Sequence, residues 1–265
     1  MARQPALALA RPRVVLPANG ARRRALVVAA CIVATIGLLY LGARETSVFA
    51  LRTVEVTGGP DSVRTAVLQE VEGMRGESLV ALDAGALLRR LDALPFVESV
   101  DYDRAFPHTL RLTVVPEQPV AIVQESGRAW IVSERGRVMS EVVSGAAPAL
   151  PRIRYPLAAP LVPGSFVSDA DTRTVVEALA EAPKRTSLPI RSGRLEEGEL
   201  TLVLDGVGSS QPLVLLGEPT DVWVKLRVAA LVLRNLSADE RASLAYLDVS
   251  LPDRPVASAN PQVSD

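Results

Sequence analysis

The chain has 265 residues, enough for one or two compact domains with a real core. Its 48% apolar and 22% charged residues exclude wholesale disorder. The net charge of −1 hides an asymmetry: residues 1–43 carry six Arg and no acid, which leaves 23 bases against 30 acids, or −7, from residue 44 onward and gives that body no electrostatic reason to bind nucleic acid.

Taken in chain order, residues 1–24 read as a basic tail, with Pro5, Pro12 and Pro17 among Ala and Arg, disordered and cytoplasmic. Ala25 to Ala43 is an uncharged run of 19 residues. As a helix it would rise about 28 Å, close to the hydrocarbon thickness of a bilayer. It shows no polar stripe, as a buried globular helix of that length would. A cleaved signal peptide has a shorter apolar core and a small-x-small cleavage site, whereas here Leu41 precedes Gly42-Ala43. The run therefore predicts an uncleaved transmembrane helix over 25–43. Arg22, Arg23 and Arg24 precede it directly, so the positive-inside rule places the N-terminus in the cytoplasm and residues from Arg44 outside. Ala30-x-x-x-Ala34 and Val33-x-x-x-Gly37 would let a second helix approach closely, which leaves self-association open, although small residues are common in such spans.

Leu51–Gly58 alternates as a half-buried strand and ends at Gly58-Gly59-Pro60. Asp61 or Ser62 can cap a helix to about Val71, with Val63, Ala66, Val67 and Val71 at helical spacing. Asp83 can cap a second helix carrying Leu87, Leu88 and Leu91, which Pro95 stops. Val97–Arg104 and Thr109–Val115 are two strands around a Phe106-Pro107-His108 turn, with Leu110, Leu112 and Val114 facing one way. The order is β-α-α-β-β, whose helices can cover one face of a small sheet.

Beyond Pro116, strands are expected at 120–124, 129–132 and 138–139, turned by Gly127 and Gly136. Five prolines between 144 and 165 predict an extended connection with edge strands only. Val167–Ala182 reads as a helix with Val175, Val176 and Leu179 inward, ended by Pro183. Glu196, Glu197 and Glu199 read as a solvated loop, and short strands follow at 200–204 and 213–216. Asp221–Leu236 is a helix whose apolar positions include Trp223, Leu226, Ala230 and Leu233, with Trp223 expected in the core. Tyr246–Leu251 is a final strand, closed by Pro252–Pro255, and residues beyond 257 read as a frayed tail.

Several strings resemble the FtsQ family of bacterial cell-division proteins (DivIB in Gram-positive bacteria). Phe49-x-Leu51-x-x-Val54-x-Val56-x-Gly58 is similar to the family's opening strand. Leu94-Pro95-x-Val97-x-Ser99-Val100 followed by Arg104-x-Phe106-Pro107-x-Thr109-Leu110 is similar to its next signature, with Phe106 where Trp is usual. Val114–Ala121 resembles the family's V-E-R-P-V-A, departing at Pro116 and Gln118. Ser133-Glu134-x-Gly136-x-Val138, Lys225-Leu226 and Tyr246–Ser250 resemble later motifs. The richness in Arg and Ala, with only two Lys, fits a high-GC actinobacterium.

The resemblance implies an α+β chain: an N-terminal transmembrane helix, a POTRA domain over 49–118, an FtsQ-type β domain over 119–257 and a disordered tail at 258–265. It implies a non-enzymatic scaffold of the inner membrane at the division septum. Such a scaffold links cytoplasmic and extracytoplasmic division proteins and controls septal peptidoglycan synthesis. Its partners would be FtsB/FtsL-like coiled-coil proteins and other divisome membrane proteins. In the family a partner strand adds to a sheet edge near the C-terminus. The matching stretch here is Tyr246, Leu247, Asp248, Val249, Ser250 and Leu251, with Tyr246 and Leu251 as the larger anchors; the alternative is an ordinary last core strand.

No catalytic, cofactor or metal constellation emerges from the residue pattern. His108, the sole histidine, lies beside Pro107 in a turn and is expected exposed and solvated. Two-carboxylate chemistry remains open by count, but with only Trp130 and Trp223, four Tyr and four Phe there is little to stack a sugar. Two other classes stay open: a membrane-anchored cell-wall enzyme, and a POTRA-type export or assembly factor, although the chain shows one such unit and no barrel repeats.

Overall fold

In the computed structural model the described residues are 19–45, 47–125, 127–143, 148–156, 160–206 and 211–259. Of the tails expected at 1–24 and 258–265, residues 1–18 and 260–265 lie outside them; residues 19–24 are corrected to the start of the first helix, and Ser258 to the end of the last strand. The described part divides into two compact units. One takes in the N-terminal part to Thr53 with Met74–Leu82 and Arg104–Leu110; the other takes in Val54–Gly73, Asp83–Asp103 and the chain from Arg111 onward.

The first unit is dominated by helix α1, Asn19–Glu45. Arg23–Gly42 is the one stretch among the described residues long and apolar enough to cross a membrane. None of that stretch is buried by the rest of the chain: Leu26, Ile36 and Leu38 stand 60–71% exposed. Apolar side chains bare over six turns of helix favour lipid over water. After α1, Phe49 stacks edge-on against Phe106 with centroids 5.7 Å apart. His108 is half-buried, and its Nδ1 lies 3.2 Å from the Ala50 carbonyl. The solvated histidine expected from sequence is thus corrected: the turn folds back on the chain that follows the helix.

Strands β1 (Thr53–Thr57), β2 (Val97–Ala105) and β3 (Thr109–Pro116), with helices α2 (Asp61–Val71) and α3 (Ala84–Asp92), realise the expected β-α-α-β-β order. The sheet order is β1-β3-β2, so β3 is central, and its Leu110, Leu112 and Val114 are buried as the alternation predicts. Asp83 caps α3, accepting from the Ala86 N–H at 3.0 Å. The start of α2 differs from expectation. Pro60 is the N-cap, and Asp61 is the first helical residue, paired with Arg64. Gly58 has φ +83° there, and a Cβ would stand 2.2 Å from the Val114 carbonyl oxygen, so only glycine fits this turn.

The rest of the chain builds one nine-stranded sheet. Its strands are β4 (Pro119–Glu125), β5 (Arg128–Ser133), β6 (Val138–Glu141), β7 (Arg152–Arg154), β8 (Ile190–Glu196), β9 (Glu199–Leu204), β10 (Leu213–Gly217), β11 (Tyr246–Asp248) and β12 (Val256–Ser258). They lie in the order β12-β11-β10-β9-β8-β7-β4-β5-β6. Helix α4 (Ala170–Arg185) crosses over between the parallel strands β7 and β8. Helices α5 (Val222–Asn235) and α6 (Ala238–Ser243) do the same between β10 and β11. α4 packs on β8, β7 and β4, and α5 packs on α4 and β10. One core results, including Val123, Ile153, Val175, Leu179, Leu202, Leu216, Leu226 and Leu247.

Three expectations are corrected here. The proline-rich connection contributes β7 to the interior of the sheet, parallel to β4 and β8, because Pro151 and Pro156 bound the strand rather than occupy it. Pro183 lies inside α4. It falls in the last turn, where few ladder bonds remain to be lost, and the Thr186 N–H and hydroxyl both return to the Ala182 carbonyl, at 2.8 and 3.1 Å. Trp223 is 46% exposed; the inward side of α5 is Lys225, Leu226 and Ala229. The buried Lys225 is satisfied by donating from Nζ to the Glu218 carbonyl at 2.7 Å.

Candidate functional site

The six residues singled out at the C-terminus sit where the long sheet ends. β11 pairs parallel with β10, Leu213 facing Tyr246 and Leu215 facing Asp248. Only Tyr246–Asp248 are strand; the Asp248 carboxylate accepts the Ser250 N–H at 2.9 Å and turns the chain. Gly217, with φ +66°, lets β10 pass this corner, since a Cβ there would lie 2.8 Å from the Ser250 Cβ. A turn closed by the Arg254 N–H on the Leu251 carbonyl, at 3.0 Å, then reverses the chain into β12.

β12 pairs antiparallel with β11, matching Tyr246 to Ser258, Leu247 to Ala257 and Asp248 to Val256. This corrects the expectation that Tyr246–Leu251 is itself the edge: both sides of β11 are paired within the chain, and the terminal strand is Val256–Ser258. Among the described residues no strand pairs with the outer side of β12. The side chains divide accordingly. Leu247 and Val249 are fully buried in the core, Tyr246, Asp248 and Ser250 are half-buried, and Leu251 and Val256 are 65% and 50% exposed. Val256 on the open edge, and Leu251 in the turn before it, are therefore exposed apolar side chains near unpaired backbone.

Next to the edge, α6 and β12 enclose a small hollow of about 140 Å³ lined by Leu236, Leu244 and Ala257 among others. A capping box starts α6: the Ser237 hydroxyl accepts the Glu240 N–H at 3.3 Å, and the Glu240 carboxylate accepts the Ser237 N–H at 2.8 Å. That backbone N–H, with the Ser237 hydroxyl, holds the Glu240 carboxyl below its ordinary range. β12 escaped the sequence reading because it is three residues long with a single β-branched member; the turn residues Pro252-Asp253 before it were the available signal.

The other residues of interest do not converge on a reaction centre. Arg23 and Arg24 lie exposed in the first turns of α1, with Arg22 before them on the same helix. Glu196 ends β8 and Glu199 starts β9, so the acidic string is a tight hairpin through Glu197-Gly198, both at positive φ. Among the described residues no group of three His, Cys, Asp or Glu side chains could hold a metal ion.

The family model described as POTRA domain, FtsQ-type, matches residues 49–115. The chain is 31% identical over 209 residues to the cell division protein FtsQ of Myxococcus fulvus, covering 76% of this chain and 70% of that one. It is 29% identical over 263 residues to FtsQ of Streptomyces bingchenggensis, covering 94% and 90%. It is 28% identical over 210 residues to FtsQ of Streptomyces griseus, covering 76% and 95%.

Proposed function

We propose a scaffolding role for this chain, which belongs to the FtsQ family of cell-division proteins. The apolar helix and the family together fit a single-pass membrane protein that works with other division proteins. On our reading α1 crosses the inner membrane once at the division septum. Arg22, Arg23 and Arg24 stay on the cytoplasmic side, and the two sheets are outside. The exported part is a non-catalytic docking module that controls septal peptidoglycan synthesis by holding FtsB/FtsL-like partners.

The observation that carries this reading is the open edge at β12. A partner segment that adds there gains main-chain hydrogen bonds from the edge, while exposed Leu251 and Val256 and half-buried Tyr246 select its side chains. Exposed apolar anchors on and before a strand with one open side suit a partner that contributes one strand. They do not suit a small substrate.

Two outcomes test it. Leu251→Glu or Val256→Glu in the full chain should abolish co-purification of the FtsB-like partner while the melting curve stays put, because both side chains are exposed. Retained co-purification in both variants would remove β12 as the docking edge. Replacing Arg22, Arg23 and Arg24 together by Glu should invert or scramble the insertion. Protease added to wall-stripped cells would then spare the sheets it digests in the wild type; unchanged digestion would refute the charge-set topology.

A further inference from the structure

α5 presents a second surface that the strand edge does not use. Its inward stripe accounts for Lys225, Leu226 and Ala229. Its outward stripe is Trp223, Arg227, Leu231 and Arg234, with Trp223 46% and Leu231 54% exposed. A groove of about 640 Å³ runs along this stripe, with Arg185 of the last turn of α4 on its far wall.

Two features identify what fits. The first is charge. None of the residues lining the groove is acidic, whereas the body from residue 44 onward carries −7. Arg185 is tied to Glu181 at 3.5 Å, but Arg227 and Arg234 have no ion-pair partner among the described residues. The second is spacing. Arg227 and Arg234 are seven residues apart, as are Val224 and Leu231, and Trp223 and Ala230. All six line the groove, which is the seam a helix offers to another helix over about 17 Å. A flat membrane would meet a convex face, whereas this face is hollowed between two helices. Trp flanked by Arg is also the composition of interface hot spots.

We propose that the α5 groove docks an acidic amphipathic helix of a partner protein, with carboxylates at heptad spacing against Arg227 and Arg234 and an apolar residue against Trp223 and Leu231. The two arginines set the sign of the partner, and the tryptophan supplies buried contact.

The test uses the full chain in phosphatidylcholine nanodiscs and two synthetic helical peptides of three heptads without Trp. One carries Leu and Glu; the other has every Glu replaced by Lys. Trp130 is only 4% exposed, so emission changes report Trp223. The Glu peptide should blue-shift the emission and the Lys peptide should not. Arg227→Glu with Arg234→Glu should weaken the Glu peptide about tenfold or more and create binding to the Lys peptide, the signature of paired charges across an interface. Should that double variant lose its native melting curve, Arg227→Gln alone should still weaken the Glu peptide severalfold. Equal responses to both peptides, or unchanged affinity in a folded variant, would overturn the proposal. So would an emission shift produced by phosphatidylglycerol nanodiscs without peptide, which would assign the groove to anionic lipid.

Discussion

Val97→Asp is expected to unfold the β1-α2-α3-β2-β3 unit outright. Val97 begins β2 and is 0% exposed, in the buried set that includes Val67, Val71, Leu87, Leu91, Leu112 and Val114. Its carbonyl lies along the strand and accepts from Arg137 at 2.8 Å, while its side chain enters the apolar layer. An aspartate there would have to ionise without a partner or stay protonated with its polar atoms unpaired. Either state costs several kcal/mol, a large part of the roughly 5–15 kcal/mol that holds an ordinary domain together. Val97→Ala removes only two methyl groups and should cost about 2 kcal/mol, leaving a cooperative transition. Thermal denaturation of the full chain separates the cases: the alanine variant should melt at a lower temperature, and the aspartate variant should lose the transition of this unit. An aspartate variant that melts like the wild type would mean that Val97 is not buried.

Much of this architecture was legible because it rests on local periodicity. The 19 uncharged residues of the span, the alternation of Leu110, Leu112 and Val114, the Asp83 cap and the inward Val175, Val176 and Leu179 all follow from neighbours in the chain. The failures are non-local. β8 was overlooked because Arg191, Gly193 and Arg194 break its pattern. Gly193 is required by α4 above it, since a Cβ would come within 2.8 Å of Val175 Cγ1 and 3.1 Å of Leu202 Cδ2. Trp223 was misplaced because α5 is apolar on more than one stripe, and only its packing on α4 and β10 decides which side faces in. The candidate site was half legible for the same reason. Tyr246–Asp248 reads as a strand from sequence, but whether a strand is an edge depends on what pairs beside it, and β12 supplies that from eight residues further on.

Arg137→Ala should destabilise the larger unit by about 3–5 kcal/mol, the scale for breaking a buried, hydrogen-bonded charge cluster. Arg137 is only 7% exposed. Its guanidinium donates to the Val97 carbonyl at 2.8 Å, to the Gly164 carbonyl at 3.3 Å and to the Asp92 carbonyl at the end of α3. Its Cζ also lies 5.8 Å from the Phe166 ring centroid. One side chain thus ties the end of α3 and the start of β2 to the segment before α4. Beneath it, the Glu117 carboxylate has a fully buried side chain, no hydrogen bond, and arginine nitrogens of Arg135 and Arg137 each 3.9 Å away. The Arg135 side chain is 44% exposed, so its attraction is screened and Arg137 is the main buried counter-charge. Arg137→Lys should recover little, because a single ammonium cannot span three carbonyls that a planar guanidinium reaches together. The two contributions separate in a double-mutant cycle. If the stranded Glu117 charge dominates the loss, Glu117→Gln in the Arg137→Ala background should restore about half of it. If instead the orphaned carbonyls dominate, Glu117→Gln should restore nothing. The burial favours the first outcome: the Glu117 side chain has no exposed surface from which its charge could recover water.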